Sequence, residues 1–449
     1  MTMHVKDRLE RLSDEAPRYV GAPGDLWRRG RRRQVRHWLA GTGALVVLAG
    51  LGGVAAGPVL APDGVDVAST AATELRLPDV FRQPGEWEPA FDGPPGPLVA
   101  VGPGVRGGLL NPRNAWWGVS GTTGESRFLD LPDAVVGSEA DPALSEDGRL
   151  LAYWYTGATT DEPIVQGDAD PAVGVAVLDL VTGNVQRWDT GTPHGLMTSG
   201  LVWAGDVLWW VGGDFAAGGT DEERGGMSSA RLSVHTWDPT SDDRRTREGV
   251  GVSMHASGSA PGGALVPGRD GSLRLLVGDE VARRISFDQD LLFQQSTTPA
   301  LSQSGLLAGV LHEDPSVYDD VPHPVLVGEV DADTGAVRLA PVGDVLAWSV
   351  LGWRGPTEVL VDATATSDGT QRVIAQVVDV RSGDVVGPLA EFHGNVPDSF
   401  ASGVWSADLV DAPDAPFAPD HRLVGLAIAG AVLLLVRAGL AVRRRRDRS

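Results

Sequence analysis

The chain has 449 residues and a net charge of −22 at neutral pH, with 59 glycines, 31 prolines, 14 tryptophans and no cysteine. The missing thiol excludes disulfides, thiolate metal sites and a cysteine nucleophile. The glycine and proline content, with no long amphipathic helical pattern after the first hundred residues, points to many short strands and turns.

The charge is segregated. Residues 1–38 carry ten basic against five acidic residues and residues 437–449 carry six against one, so the body between them carries −32. A basic head, an acidic body and a basic tail read as three compartments of one chain. Lys6 is the only lysine among the basic residues, a bias that fits a GC-rich bacterial genome.

Residues 1–37 form a basic head in which Val5, Leu9 and Leu12 recur at helical spacing and Asp25 is placed to cap a second helix. The head reads as a cytoplasmic anchor, with docking to anionic lipid or a cytoplasmic regulator as the alternative. Residues 38–61 contain no charge and, as a helix of about 36 Å, predict a first transmembrane span. A cleaved signal peptide, with Val54-Ala55-Ala56 before the cut, is the competing reading. Residues 62–73 are a linker. The segment from Pro78 to Pro103 holds seven prolines, which predicts an extended run over a surface and no central strand.

The body, residues 74–411, is built of repeats. The clearest runs from Ala143 to Gly191: ALSEDGRLLAYW, an acidic loop, then GVAVLDLVTGNVQRWDTG. Each half is two apolar runs around a tight turn, so the unit predicts four antiparallel strands. AWWGVSGTTGESRFLDLP (Ala115 to Pro132) closes an earlier unit that starts near Leu98, and a third spans Gly200 to Arg247. A compact fourth runs from about Val252 to Phe287, a fifth from Pro299 to Gly343 and a sixth from Leu346 to Phe392. Ser145 to Ser302 is 157 residues and Thr182 to Thr334 is 152, close to three repeats of blade length.

LSEDGRLLAY followed by VLDLVTGNVQRW resembles the blade signature of WD-repeat-like and Tol-system-type β-propellers, with a Ser-x-Asp-Gly turn in the first half and an Asp-x-x-Thr-Gly turn in the second. The resemblance covers roughly residues 97–392 and implies an all-β propeller with a binding role; its motif carries no catalytic residue. Six blades are expected, with residues 73–81 (TELRLPDVF) pairing with a last strand in residues 400–410 (FASGVWSADLV); seven blades result if those two segments form a sheet of their own. After a linker at 412–422, residues 423–442 are long enough for a second span, with Arg437 close enough to its end to snorkel and a basic tail at 443–449. Both termini are then cytoplasmic and the propeller lies outside the cytoplasmic membrane.

The search for chemistry is mostly negative. No Gly-x-Ser-x-Gly elbow occurs, no histidine pair has the spacing of a helical zinc site, and no cofactor is expected. Asp331-Ala332-Asp333-Thr334-Gly335 begins like a calcium loop but lacks its later ligands, so a hairpin turn is the better reading. Three long loops, from Thr156 to Pro171, Asp214 to Ala230 and His312 to Pro324, each join a second and third strand and should emerge on one face. Their acids, Asp161, Glu162, Asp168, Asp170, Asp214, Asp221, Glu222, Glu223, Glu313, Asp314, Asp319 and Asp320, would form a one-sided rim attractive to a cationic ligand or basic partner, or else are solvated insertions. Trp154, Trp188, Trp203, Trp209, Trp210, Trp237, Trp348 and Trp353 are expected in strands, packing blade against blade.

The expected function is a non-enzymatic binding or scaffold module of the bacterial envelope with an envelope protein as partner and no nucleic acid. A transmembrane sensor acting through the basic head and a carbohydrate-active propeller enzyme are the alternatives. Carboxylates or histidines clustered at the axis would favour the enzyme; an axis of Val, Ala and Gly would remove it.

Overall fold

The computed structural model describes residues 75–423 apart from 109–110, 137–139, 165–169, 216–231, 248–249, 253, 255–256, 289–297, 311–320, 368–369, 417 and 419, and beyond them only Gly430 and Arg437. All of these lie in the larger of two compact units, Thr70–Ser449. The head, the predicted first span at 38–61 and the linker at 62–73 lie outside the described residues, as does the predicted second span apart from Leu423, Gly430 and Arg437. Among the described residues no helix is long and apolar enough to cross a membrane.

The body is almost entirely antiparallel sheet. Sheet A orders Ser399–Phe400, Leu98–Arg106, Arg113–Ser120 and Ser126–Phe128; sheet B is Ala143–Leu144, Leu150–Thr156, Ala172–Asp179 and Val185–Asp189. Sheet C places Leu196–Met197 and Leu201–Ala204 along Val207–Asp214, followed by Ser233–Asp238 and Asp243–Arg247. Sheet D is Gly258–Ala260, Gly263–Pro267, Leu273–Val277 and Glu280–Phe287, and sheet E is Ala300–Leu301, Leu306–Val310, His323–Glu329 and Ala340–Ala347. Short parallel pairings, Ser259 with Ala300 and Ser286 with Ala336, join D to E. Sheet F is Ser349–Arg354, Glu358–Ser367, Thr370–Asp379 and Asp384–His393, with Val80–Arg82 added in parallel on its outer edge.

Each sheet is apolar on both faces because both are covered by neighbours. The buried side chains fall into clusters that each bridge two consecutive sheets: A with B around Trp116 and Tyr153, B with C around Trp154 and Trp210, C with D around Trp209 and Val266. D meets E around Ile285 and Leu307, and E meets F around Val310 and Val361. The last cluster joins F back to A, with Phe392 and Ala375 against Trp117 and Phe128, so the ring of sheets is closed. A closed ring of meandering antiparallel sheets is a β-propeller. Alternation along Leu208-Trp209-Trp210-Val211 sends the two indoles to opposite neighbours, Trp209 to sheet D and Trp210 to sheet B, and both are fully buried.

The repeat signature has a local cause. In Ser145-Glu146-Asp147-Gly148 the Ser145 hydroxyl donates to Asp147 at 2.7 Å and accepts the Leu150 N–H at 2.9 Å. Gly148 takes φ +68°, and a Cβ there would sit 2.0 Å from the Leu98 carbonyl of sheet A. Gly148→Ala is therefore expected to combine left-handed strain of about 1–2 kcal/mol with an inter-sheet clash, seen as a lower urea midpoint. In the other turn an aspartate accepts the backbone N–H groups two and three residues on: Asp179 from Val181 and Thr182, Asp238 from Thr240 and Ser241, Asp331 from Asp333 and Thr334, Asp379 from Arg381 and Ser382. The calcium-like sequence at Asp331 is thus such a turn. Hydrogen bonds from Thr334 hold the Asp331 carboxyl below the usual carboxylate range.

Three expectations fail at the ends of the body. Leu98–Arg106 is a central strand despite Pro103; its inner neighbour pairs only with Ala100 and Val101, so at Pro103 the strand is an edge and needs no ladder N–H on that side. The first unit does not open near Leu98, because Ser399–Phe400 from the far end of the chain is the innermost strand of sheet A. Residues 400–410 are not one strand either: a 3-10 turn, Ser402–Ser406, separates Ser399–Phe400 from Asp408–Val410. Only Asp408–Val410 pairs with Arg76–Pro78, in parallel, while the next residues, Val80–Arg82, extend sheet F.

In sheets B to F the first-to-second and third-to-fourth connections leave one face of the ring and the second-to-third connections leave the other; sheet A, whose first strand comes from the far end of the chain, follows the same rule in its two remaining connections. Contacts between tight turns of neighbouring sheets mark the first, or turn face: Leu98 N–H to Gly148 O at 2.9 Å, Gly403 N–H to Glu146 O at 3.0 Å, and Ser304 Oγ to Pro356 O at 2.8 Å. The opposite surface is the loop face.

Candidate functional site

The innermost strands converge on one cavity of about 210 Å³ along the axis. Its wall takes Leu144 from sheet B, Trp203 from C, Ser259 from D, Pro299 at the start of E, Val350 from F and Phe400 from A. These strands are short because, near the axis, the sheets crowd together and there is room for few residues. Indole N–H groups tie neighbours at this radius: Trp203 donates to the Ala143 carbonyl at 3.0 Å, Trp353 to Ala300 at 2.9 Å and Trp405 to Leu351 at 3.0 Å. Each indole thereby buries its ring between two sheets and satisfies its one donor.

The channel is not a bare hydrocarbon tube. Asp398, on the segment leading into Ser399–Phe400, lines it, and so does Glu146 in the first turn of sheet B. The Asp398 side chain is exposed to the channel but has protein around it on the wider scale, and this partial burial, reinforced by the charge of Asp141, pushes its carboxyl up to about 7. Asp141 precedes the innermost strand of sheet B just as Asp398 precedes that of sheet A, so both lie on the loop-face side, Asp398 in the channel wall and Asp141 near enough to act on it, whereas Glu146 belongs to the turn-face end. The Ser399 hydroxyl accepts the Leu144 N–H at 3.0 Å and fixes the two segments side by side. A second perturbed carboxyl lies one strand further out. Asp362 accepts the backbone N–H of the wall residue Ser349, and burial drives it up to about 6.

Of the rim acids expected from the sequence, Asp168, Asp221, Glu222, Glu223, Glu313, Asp314, Asp319 and Asp320 lie outside the described residues. Asp161, Glu162, Asp170 and Asp214 are all exposed. The loop carrying the first two is tied down by its backbone: Asp161 N–H donates to Pro193 O at 2.9 Å, Ile164 N–H to His194 O at 2.8 Å, and a His194 ring nitrogen meets the Glu162 carbonyl at 2.8 Å. The three long loops do join second to third strands, in sheets B, C and E. Among the described residues no group of three or more histidine, aspartate or glutamate side chains is placed to hold a metal. Trp348 is not in a strand; it sits in the bend between sheets E and F, its indole N–H donating to Thr364 at 3.1 Å.

Sequence reasoning passed over Asp398, Asp141 and Asp362. Val396-Pro397-Asp398-Ser399 and Ala140-Asp141-Pro142 read as ordinary polar connections. The available signal was position: Asp141 and Asp398 each lie just before an innermost strand, while Asp362 lies within the second strand of sheet F, opposite Ser349.

No protein-family model matches the chain, and no curated protein matches it. Solved structures with a similar course of chain include TolB from Acinetobacter baumannii, 13% identical over 68% of this chain and 66% of that one, TM-score 0.36. A putative 6-phosphogluconolactonase from Bacteroides uniformis is 12% identical over 67% of this chain and 98% of its own, TM-score 0.34. Dipeptidyl peptidase 4 from Porphyromonas gingivalis is 12% identical over 62% of this chain, TM-score 0.33, and the match spans 49% of the peptidase, about half its length. The propeller assignment rests on the strand pairing and the closed ring of clusters.

Proposed function

We propose that this chain is a six-bladed propeller displayed outside the cytoplasmic membrane as a binding module, with the axial channel receiving a cationic segment of an envelope protein. One observation carries the reading: every sheet of the ring contributes to a single channel of mixed polar and apolar wall, lined by the Asp398 carboxyl with the charge of Asp141 acting on it. A concave site that combines apolar side chains with a few placed polar and charged groups is the pattern of a selective binding site. The acidic body favours the same sign of partner, and the acidic loops, opening on the same face, would raise its local concentration. The six-blade count follows from taking sheets A to F as blades; the Arg76–Pro78 and Asp408–Val410 pair has only two strands and serves as a clasp, which disfavours a seventh. The uncharged 38–61 segment, the apolar 423–442 segment whose one charge is Arg437, and their basic flanks support anchoring with both termini cytoplasmic.

The test is capture from native membranes by the full-length protein. Asp141→Asn with Asp398→Asn should reduce the yield of a specific cross-linked partner by about tenfold, the equivalent of about 1.4 kcal/mol. Because the Asp398 carboxyl sits at about 7, wild-type capture should rise from pH 6 to pH 8 as that group ionises, and the double variant should lose the rise. Equal capture by both proteins at both pH values would refute the channel as the site.

A second reading is favoured by the same carboxyl. A group poised near neutral pH in a pocket is suited to proton transfer, as a carbohydrate-active enzyme needs. New reducing ends released from envelope polysaccharide by the wild type and not by Asp398→Asn would establish it.

A further inference from the structure

The described chain does not stop where the ring closes. After Asp408–Val410 it returns to the body at a second place. Asp420 accepts the Arg422 N–H at 2.7 Å, which starts a helical turn at His421–Leu423. The Arg422 guanidinium donates to the Gly108 carbonyl at 2.8 Å and lies 5.5 Å from the centre of the Trp87 ring, while the His421 ring packs on the same indole at 5.1 Å between centres. Gly107 also packs against Trp87, where a Cβ would come within 2.8 Å of the indole. Two rings, a guanidinium and a carbonyl thus fix the start of residues 423–442, an apolar run after the ring whose one charge is Arg437. Leu423, its first residue, is 64% exposed.

The position of this clamp is informative. Gly107 and Gly108 follow Leu98–Arg106 and precede Arg113–Ser120, so they belong to the second-to-third connection of sheet A, on the loop face. Leu423, the first residue of the apolar segment, follows directly on this clamp.

We infer that the loop face, with its acidic connections and the Asp141–Asp398 mouth of the channel, is turned toward the lipid bilayer, and that Trp87, Gly108, His421 and Arg422 set this orientation. The inference rests on the reading of 423–442 as a membrane anchor and adds which face looks at the membrane. An acidic surface has no attraction of its own for an anionic leaflet. The orientation is therefore imposed through the chain, by a short and locally fixed connection. Trp87 and Arg422 are residue types suited to the boundary between water and lipid headgroups. A partner entering the channel from the loop face then approaches from the membrane side, and the turn face is the one open to the rest of the envelope.

The absence of cysteine makes single-site labelling clean. Asn111→Cys and Asp161→Cys place a donor dye on the loop face, and Thr240→Cys and Arg381→Cys place it in exposed third-to-fourth turns on the turn face. The faces are separated by about 25–30 Å, the length of a nine-residue strand such as Leu98–Arg106. Full-length protein is reconstituted into liposomes with an acceptor dye on the lipid headgroup, and energy transfer is read after flotation. The expected result is higher transfer from positions 111 and 161 than from 240 and 381, with the difference shrinking when Trp87→Ala and Arg422→Ala are combined. Equal or reversed transfer in protein that floats with the vesicles overturns the orientation and leaves the anchor standing. An unchanged difference in the Trp87→Ala, Arg422→Ala protein overturns the role given to the clamp. Protein that fails to float overturns the anchor reading, and the inference with it.

Discussion

Trp405→Ala is expected to lower the unfolding free energy by about 3–5 kcal/mol, the range for removing a large aromatic from a core. Trp405 is 1% exposed and packs in the cluster that joins the last sheet to the first. Its ring packs at a tilt against Phe400, 5.0 Å between centres, and fills the space over Gly352, where a Cβ would lie 2.6 Å from the indole. Its N–H donates to Leu351, so truncation leaves a cavity and also removes a hydrogen bond across the closure. The Trp405→Phe variant keeps most of the buried area without the donor and should fall between the two. Trp348→Ala is the control: that side chain is partly exposed and outside the closing cluster, so its cost should stay within about 1 kcal/mol. Urea midpoints followed by circular dichroism rank the three. A Trp405→Ala protein no weaker than Trp348→Ala would mean that the C-terminal segment does not hold the ring shut.

Asp362→Asn is expected to flatten the pH dependence of stability. Asp362 is 7% exposed, and burial raises its carboxyl from the ordinary 3.8 to about 6. A carboxyl with a raised folded-state value favours the folded protein while it is protonated. That contribution is complete below about pH 4 and is lost as the pH climbs through 6. A shift of this size corresponds to about 3 kcal/mol, so wild-type stability should decline by up to that amount between pH 4 and pH 7. Asparagine keeps an oxygen for the Ser349 N–H but has no proton to lose, and its curve should lack the decline. Chemical denaturation at several pH values reads this directly, and parallel curves for the two proteins would show that Asp362 is hydrated well enough to ionise freely.

What could be read from the sequence was whatever the chain settles locally. Ser145-Glu146-Asp147-Gly148 and Asp179-Leu180-Val181-Thr182-Gly183 close hydrogen bonds within five residues, so they announce themselves in any unit that contains them. Where the side chain differs the turn persists and the pattern fades: in the third unit Asp242 takes the left-handed φ of +56° that glycine takes elsewhere. What could not be read was decided over long distances. Ser399–Phe400 is too short to declare itself a strand, and it becomes one because the second strand of sheet A, some three hundred residues earlier, lacks an inner partner. The channel mouth is hidden for the same reason, since Asp141 and Asp398 are neighbours only after the ring has closed. The acidic loops drew attention because charge is countable along a chain, while position relative to an axis is not.

The parallel pairing of Arg76–Pro78 with Asp408–Val410 also decides how the domain bears load. The incoming chain is attached at the leading end of one strand and the outgoing chain at the trailing end of the other, so pulling the two apart drags the strands lengthwise past each other. Hydrogen bonds loaded in this way share the force and break together; bonds peeled from one end break singly. Asp79 adds two more rivets, its N–H to Val410 O at 3.0 Å and its carboxylate to Ala412 N–H at 2.7 Å. Tension between the ends of the body therefore meets a shear lock before it reaches any blade.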